Sequence, residues 1–302
     1  MGKRPEDAAK KKKVVNRGAV VFLIVMLALP ILQWLVFWLY ININSILLAF
    51  QYPRGGWTLF NFRVLFESLG ENDGTLTMAF KNTFSFWALN LFFIVPLSFI
   101  SSYFIYKKIV GYKTFRIVIY LPNIISAVVM STVFEQLIAP EGPVGVLLAG
   151  LGVDPIPAFL ANSDYAMNAL MVYCVWVGVG GSLLLFSGAM SRIPLEVIEA
   201  AKLDGCRAGR EMVSIILPMI WPTFSTLIIS QCTGIFASSG PVLLLTQGNY
   251  GTYTLSYWIY EQVYLTNSYN NVAATGLFCT CLAVPFILFV RWIIEKVPAV
   301  EY

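Results

Sequence analysis

The chain contains no histidine. That removes imidazole acid–base chemistry, histidine metal ligation and histidine-based triads together. Five cysteines remain, Cys174, Cys206, Cys232, Cys279 and Cys281, with no Cys-x-x-Cys pair. Four lie in apolar runs, where a thiol packs as a small hydrophobe, so neither a disulfide nor a metal centre is expected. Asp204 has no neighbouring histidine, phosphate-binding loop or paired carboxylate and is not read as catalytic. Gly178, Gly180 and Gly181 lack the Lys-Ser/Thr of a phosphate-cradling loop and read as close helix packing. What remains is a set of uncommon side chains inside long apolar stretches: Asn90, Trp176, Ser182, Gln231 and Thr233. Polar groups are costly there and are candidates for contact with a polar solute. The competing reading is structural, with Ser and Thr bonding inside their own helix and Gln bridging two helices. Glu135 reads as an interfacial or solvated carboxylate rather than a relay.

The elements that must position these groups are membrane spans. The 302 residues are 58% hydrophobic and 12% charged, against about 25% charged in a soluble domain. Six stretches, 18–41, 83–106, 117–137, 166–190, 219–245 and 272–294, are long enough for helices across a hydrocarbon core. They are too long, and lack the alternation, for barrel strands. With the N-terminus inside, 17 of the 20 lysines and arginines fall on the cytoplasmic side; Arg54, Arg63 and Lys81 fall outside. The fold class expected is therefore all-α: a polytopic integral membrane protein with six transmembrane helices and both termini cytoplasmic. Residues 1–17 form a basic tail and 18–302 the membrane domain. The first span is longer than a signal-peptide core and ends in bulky Trp34, Trp38 and Tyr40, so it is expected to be retained. The segment Tyr250–Tyr264 is too polar for a seventh span and reads as amphipathic, at the outer surface or dipping partly inward. The +4 net charge is unevenly placed and gives no case for a nucleic-acid partner.

The inner loop 191–218 has a pattern of its own. Pro194 suits the first turn of a helix, Glu196 sits near its positive end, and Leu195, Ile198, Ala201 and Lys202 fall at helical spacing. Gly205 can end that helix in the left-handed conformation. A second helix is expected from near Ala208 toward Ile216, leading through Leu217-Pro218 into the fifth span. A short helix with an exposed apolar face needs a partner, and the mix of Glu199, Asp204, Arg207 and Arg210 favours protein over lipid.

This loop resembles the EAA signature of permease subunits of binding-protein-dependent ABC importers. Glu199-Ala200-Ala201, Gly205, Ile215, Leu217 and Pro218 match it at every spacing. Asp204 and Ile193-Pro194 are similar to the carbohydrate-uptake group. Asn82-Thr83, the run Arg116–Pro122, the turn Pro140–Gly142 and Leu245-Thr246-Gln247-Gly248 resemble further family segments, and the opening looks like the first of two sugar-permease subunits. Met212 stands where phenylalanine is usual, Cys206 where alanine is frequent, Asn249-Tyr250 where many members have Gly-Pro, and Asn270 where many have glycine.

The resemblance implies that Glu199, Ala200, Ala201, Asp204, Gly205, Met212, Ile215, Leu217 and Pro218 form a coupling loop docked on a cytoplasmic ATPase. It implies a transport subunit, not an enzyme, with no catalytic residue and no cofactor of its own; ATP and Mg are used by the partner ATPase dimer. The other implied partners are a second homologous permease, an extracellular solute-binding protein, the bilayer, and a sugar or short oligosaccharide. The location implied is the bacterial or archaeal cell membrane, multi-pass. A sugar presents hydroxyls on its edge and C–H groups on its face. Gln231 and Asn90 suit the first and Trp176 the second. A permease for another small polar solute is the alternative; an ion-coupled carrier would predict midplane carboxylates or broken helices, and the spans offer no acidic residue there.

Overall fold

The structure, a computed structural model, describes residues 17–52, 55–71 and 74–297. The expected tail at 1–17 lies outside these residues except for Arg17, which opens the first helix. Among the described residues the chain is helical, with one isolated antiparallel bridge between Gln51 and Trp57. Hydrocarbon offers no hydrogen-bond partner to the backbone, so apolar runs of this length must satisfy it internally as helices.

Four helices are long and apolar enough to cross a bilayer unbroken: Val20–Ala49, Thr75–Tyr106, Ala166–Met190 and Tyr269–Ile294. Two further passages are bent pairs. Tyr112–Ile124 meets Ala127–Gly150 at 113°, and Ala208–Met219 meets Trp221–Thr233 at 79°. Counting each pair as one passage gives six. The all-α, polytopic expectation therefore holds, but the straight spans expected over 117–137 and 219–245 do not.

Local chemistry accounts for both breaks. In the third passage Ile125 is extended, and Ser126 caps a new helix by accepting from Val129 N at 3.4 Å. In the fifth, Ile220 leaves helical geometry and Pro222 starts the next helix, which ends at Thr233. The Gly- and Ser-rich stretch from Gly234 to Gly240 then runs as turns, with Gly240 at φ +55, before a single turn at Val242–Leu245. Hydropathy alone reads through such breaks because the side chains stay apolar.

The second and fourth spans form the centre. The Ser98 hydroxyl lies 2.8 Å from Ile94 O in its own helix and 2.9 Å from Val179 O across the interface. Ser102 repeats this one turn on, toward Ser98 O and Leu183 O. Gly180 brings the third passage equally close: a Cβ there would stand 2.5 Å from Ile119 O. A Cβ at Gly178 would stand 3.0 Å from the Ile94 side chain, so Gly178 and Gly180 act in helix packing, as their sequence context suggests, whereas a Cβ at Gly181 would find ordinary contact at 3.5 Å.

The inner ends of spans two, four and five share one core cluster. It includes Phe99, Tyr103, Phe186, Met190, Ile216 and Ile220. The outer end is clamped by amides. Asn61 donates to Ala49 O and Gln51 O, and Asn270 to Leu48 O and Gln51 O, closing the carboxyl end of the first span. Asn82 donates to Gly251 O and Tyr253 O at 2.8 Å each, and Thr83 accepts from Leu255 N. These bonds hold the helix Leu255–Tyr264, which falls within the stretch expected to be amphipathic. Above the clamp at its far end, the first span is exposed along almost all of Val21–Tyr40.

Candidate functional site

The inner loop folds as a helix, Leu195–Leu203, a turn, and a second helix, Ala208–Glu211, that widens into a π-helical turn at Met212–Ile216. Pro194 sits one residue before the first helix, and Glu196 lies in its first turn. The helix ends as the glycine predicted. Gly205 has φ +72, its N–H donates to Lys202 O, and Cys206 N–H donates to Ala201 O. This pair of bonds is the Schellman arrangement, which satisfies carbonyls left over at the helix end. A Cβ on Gly205 would meet nothing within 4 Å, so glycine is required there for conformation and not for space.

The predicted apolar face needs correcting. Ile198 and Ala201 are buried, with Ile198 in the inner core, but Leu195 is 62% exposed and Lys202 is exposed. Three-residue steps fall roughly 60° short of a full helical turn, so the Leu195–Ile198–Ala201 stripe drifts and only its later part faces the core. Val197 joins the buried side. Leu195, Glu199, Ala200, Leu203 and Asp204 face outward, with Leu203 89% exposed.

The nine candidate coupling residues therefore divide. Glu199, Ala200, Asp204 and Gly205 are exposed, whereas Ala201 is buried. Met212, Ile215 and Leu217 pack partly buried against the inner core, and Pro218 is half-buried at the start of the turn Leu217–Met219. Between the two legs lies a cleft of about 610 Å³ lined by Ala201, Asp204, Gly205, Cys206, Arg207, Arg210, Ser214 and Ile215.

One feature of this site was not singled out in the sequence. Lys107, just past the inner end of span two, donates to Glu211 Oε2 at 2.8 Å. The Glu211 side chain is only 3% exposed and that of Lys107 21%. Beside them Tyr103 Oη donates to Ala208 O at 3.1 Å. A carboxylate at the start of an apolar run is a signal, but its partner lies 104 residues away.

The five candidate solute contacts are not drawn into one constellation. Asn90 donates to Phe86 O and Thr233 to Ser230 O, each within its own helix. Ser182 is buried in span four. Gln231 is half-buried, and its backbone carbonyl accepts from the Trp87 indole at 3.1 Å. Trp176 is 36% exposed and tilts against Phe134. Thr233 lines a groove of about 250 Å³ between spans five and six, with Phe236, Ala237, Thr275, Gly276 and Thr280 among its walls.

Comparison with known proteins agrees with this architecture. Residues 94–297 match the family described as "binding-protein-dependent transport system inner membrane component". The lactose transport system permease protein LacF of Rhizobium radiobacter is 25% identical over 269 residues, covering 85% of this chain and 88% of its own. The arabinooligosaccharides transport system permease protein AraP of Bacillus subtilis is 26% identical over 255 residues, covering 82% and 80%. A solved bacterial ABC transporter involved in import of the acidic polysaccharide alginate superposes with TM-score 0.81 at 23% identity, over 92% of this chain and 97% of that one. A bacterial alginate ABC transporter solved in complex with an alginate pentasaccharide-bound periplasmic protein also superposes with TM-score 0.81, at 23% identity. The multi-pass helical fold and the family match over most of the chain place it among transport components rather than enzymes: this protein belongs to the family of inner membrane components of binding-protein-dependent transport systems.

Proposed function

We propose that this chain is a permease subunit of an ABC importer for a sugar or short oligosaccharide, and that residues 191–218 are its coupling loop. The observation that carries the loop assignment is the rigidly ended helix Leu195–Leu203. It buries Ile198 and Ala201 in the protein and leaves Glu199, Ala200 and Leu203 facing outward at the inner end of three passages. A helix with one face seated in its own core and the other presenting carboxylates and exposed leucines is suited to a groove on a partner protein.

In this reading the partners are a second homologous permease, a cytoplasmic ATPase dimer that uses ATP and Mg, and an extracellular binding protein that delivers the solute. Both termini face the cytoplasm. ATP binding in the partner moves the coupling loops and turns the cavity outward, and hydrolysis resets it. The sugar assignment rests on the named solutes of LacF and AraP, and on the amide, hydroxyl and indole groups of Asn90, Trp176, Ser182, Gln231 and Thr233 along the passages.

The test uses the assembled transporter. Gly205→Val is expected to leave the permease in the membrane but to reduce ATPase copurification, or to abolish the part of ATP hydrolysis that depends on loaded binding protein. Normal retention together with normal stimulation would remove the coupling role from residues 191–218.

A further inference from the structure

The loop is joined covalently to span four through residues 191–194 and to span five through its second leg, and the covalent route to span five is mechanically poor. From the loop the chain enters the fifth passage through a π-helical turn at Met212–Ile216 and then a 79° bend at Ile220. A push applied to the helix Leu195–Leu203 would be absorbed at those two places, where the regular hydrogen-bond ladder is interrupted.

The route to span two is non-covalent. Glu211 lies at the end of the loop's second leg and holds Lys107 at 2.8 Å with its carboxylate almost fully buried. Tyr103, one turn earlier on span two, holds Ala208 O. Around these bonds the loop residue Ile198 packs in the same cluster as Val95, Phe99 and Tyr103 of span two and Phe186 and Met190 of span four. Span two is in turn fastened along span four through Ser98 and Ser102. An unbroken chain of polar and apolar contacts therefore runs from the loop into the two straight spans at the centre of the protein.

We propose that Lys107 and Glu211 are positioning residues that latch the coupling loop to span two. Through them the loop moves spans two and four as one body during the transport cycle. The physical reason is the asymmetry of buried ion pairs. Separating the partners would leave a desolvated carboxylate without its counter-charge, which is far more costly than losing an exposed pair. The pair therefore stays closed while the loop and the inner ends of the spans move together. This rests on the coupling-loop reading given above.

The experiment uses the complete transporter, with partner permease and ATPases, in nanodiscs. Spin labels are placed on Leu203→Cys in the loop and Phe84→Cys toward the outer end of span two, both exposed positions, in a background free of other cysteines. Pulsed EPR distances are compared without nucleotide and with ATP plus vanadate. The expected result is one narrow distance unchanged by nucleotide. In Lys107→Met it broadens and becomes nucleotide-dependent, and in the charge swap Lys107→Glu with Glu211→Lys it narrows again.

The second readout is ATP hydrolysis stimulated by the cognate binding protein purified with its endogenous solute. It is expected to fall at least about fivefold in Lys107→Met, the lower end of energetic couplings between sites, and to recover in the swap. A nucleotide-dependent shift with the native pair, or a Lys107→Met protein identical to the native one in both measurements, would overturn the proposal. So would loss of ATPase copurification in Lys107→Met, which would put the pair in docking instead of transmission. The two readings separate through Gly205→Val. If that variant uncouples while Lys107→Met does not, the latch alone fails; if it couples normally, the loop assignment itself fails.

Discussion

Gly205 shows how much a single position can reveal. Its place after an amphipathic stretch predicted a left-handed helix end, and both bonds of the Schellman turn are present there. Because a side chain at 205 would find open space, the cost of substitution is conformational, roughly 1–2 kcal/mol for a residue with a Cβ. Gly205→Asn is expected to keep more coupling than Gly205→Val, since asparagine tolerates the left-handed region and a β-branched side chain does not. Parallel ATPase assays on the two variants check the order. Asn270 shows the opposite case. In sequence it was a departure on the outer side, where glycine is common. In the structure its amide ties the sixth span to the end of the first by bonds of 3.1 and 2.9 Å. Asn270→Ala removes both bonds, but Leu48 O keeps the Gln51 N–H and Gln51 O keeps the Asn61 amide, so the expected loss is about 0.5–1.5 kcal/mol per bond, seen as a lower thermal midpoint in detergent with coupling intact. For Gln231, a half-buried amide two residues before the end of the helix Trp221–Thr233, Gln231→Ala is expected to lower transport at saturating binding protein without reducing assembly. A wild-type rate and solute range would leave it a packing residue.

At the level of elements, the interface of span four with its neighbours is set by small residues whose roles differ in rigidity. A Cβ at Gly178 would stand 3.0 Å from the end of the Ile94 side chain, which can shift. A Cβ at Gly180 would stand 2.5 Å from the backbone oxygen of Ile119 and 2.3 Å from Asn123 Nδ2, whose amide is held on Val177 O. Backbone cannot rotate away, so Gly180→Val must displace the third passage, at a cost on the order of 1–3 kcal/mol or more. Gly178→Ala is expected to insert and assemble nearly normally, and Gly180→Val to give less folded protein and a lower thermal midpoint. Equal behaviour of the two would contradict this packing. Helices legible from apolar length alone, such as Ala166–Met190, were placed to the residue. The third and fifth passages were not, because Ser126, Ile220 and the glycines after Thr233 interrupt the backbone without lowering hydropathy enough to show.

For the whole molecule, the placement of 17 of 20 basic residues on one side makes orientation a direct prediction. Val110→Cys, in the turn after span two, is expected to react with a membrane-impermeant thiol reagent only from the cytoplasm. Val153→Cys, before span four, is expected to react only from outside, in a chain lacking the native cysteines. Both positions are exposed, so access is decided by the membrane and not by burial. Labelling of both from one side would refute the orientation. The exposed first span, with Trp34 stacked on Trp38 at 5.2 Å, fits a helix in direct contact with lipid or a neighbouring subunit.

By itself the sequence determined the solvent and the helical class, and it supplied the expected sidedness and the loop proposed here to face the partner. Each depends on local composition or fixed spacing: apolar length, the distribution of lysine and arginine, and a helix that must stop at glycine. Only the tertiary structure decided that Ile198 and Ala201 turn inward while Leu195 turns out, that Asn82 and Asn270 clamp distant carbonyls, and that Lys107 and Glu211 meet. Those outcomes depend on which helices lie side by side. A buried polar group records in sequence only that it needs a partner, and the fold chooses that partner from residues up to 222 positions away.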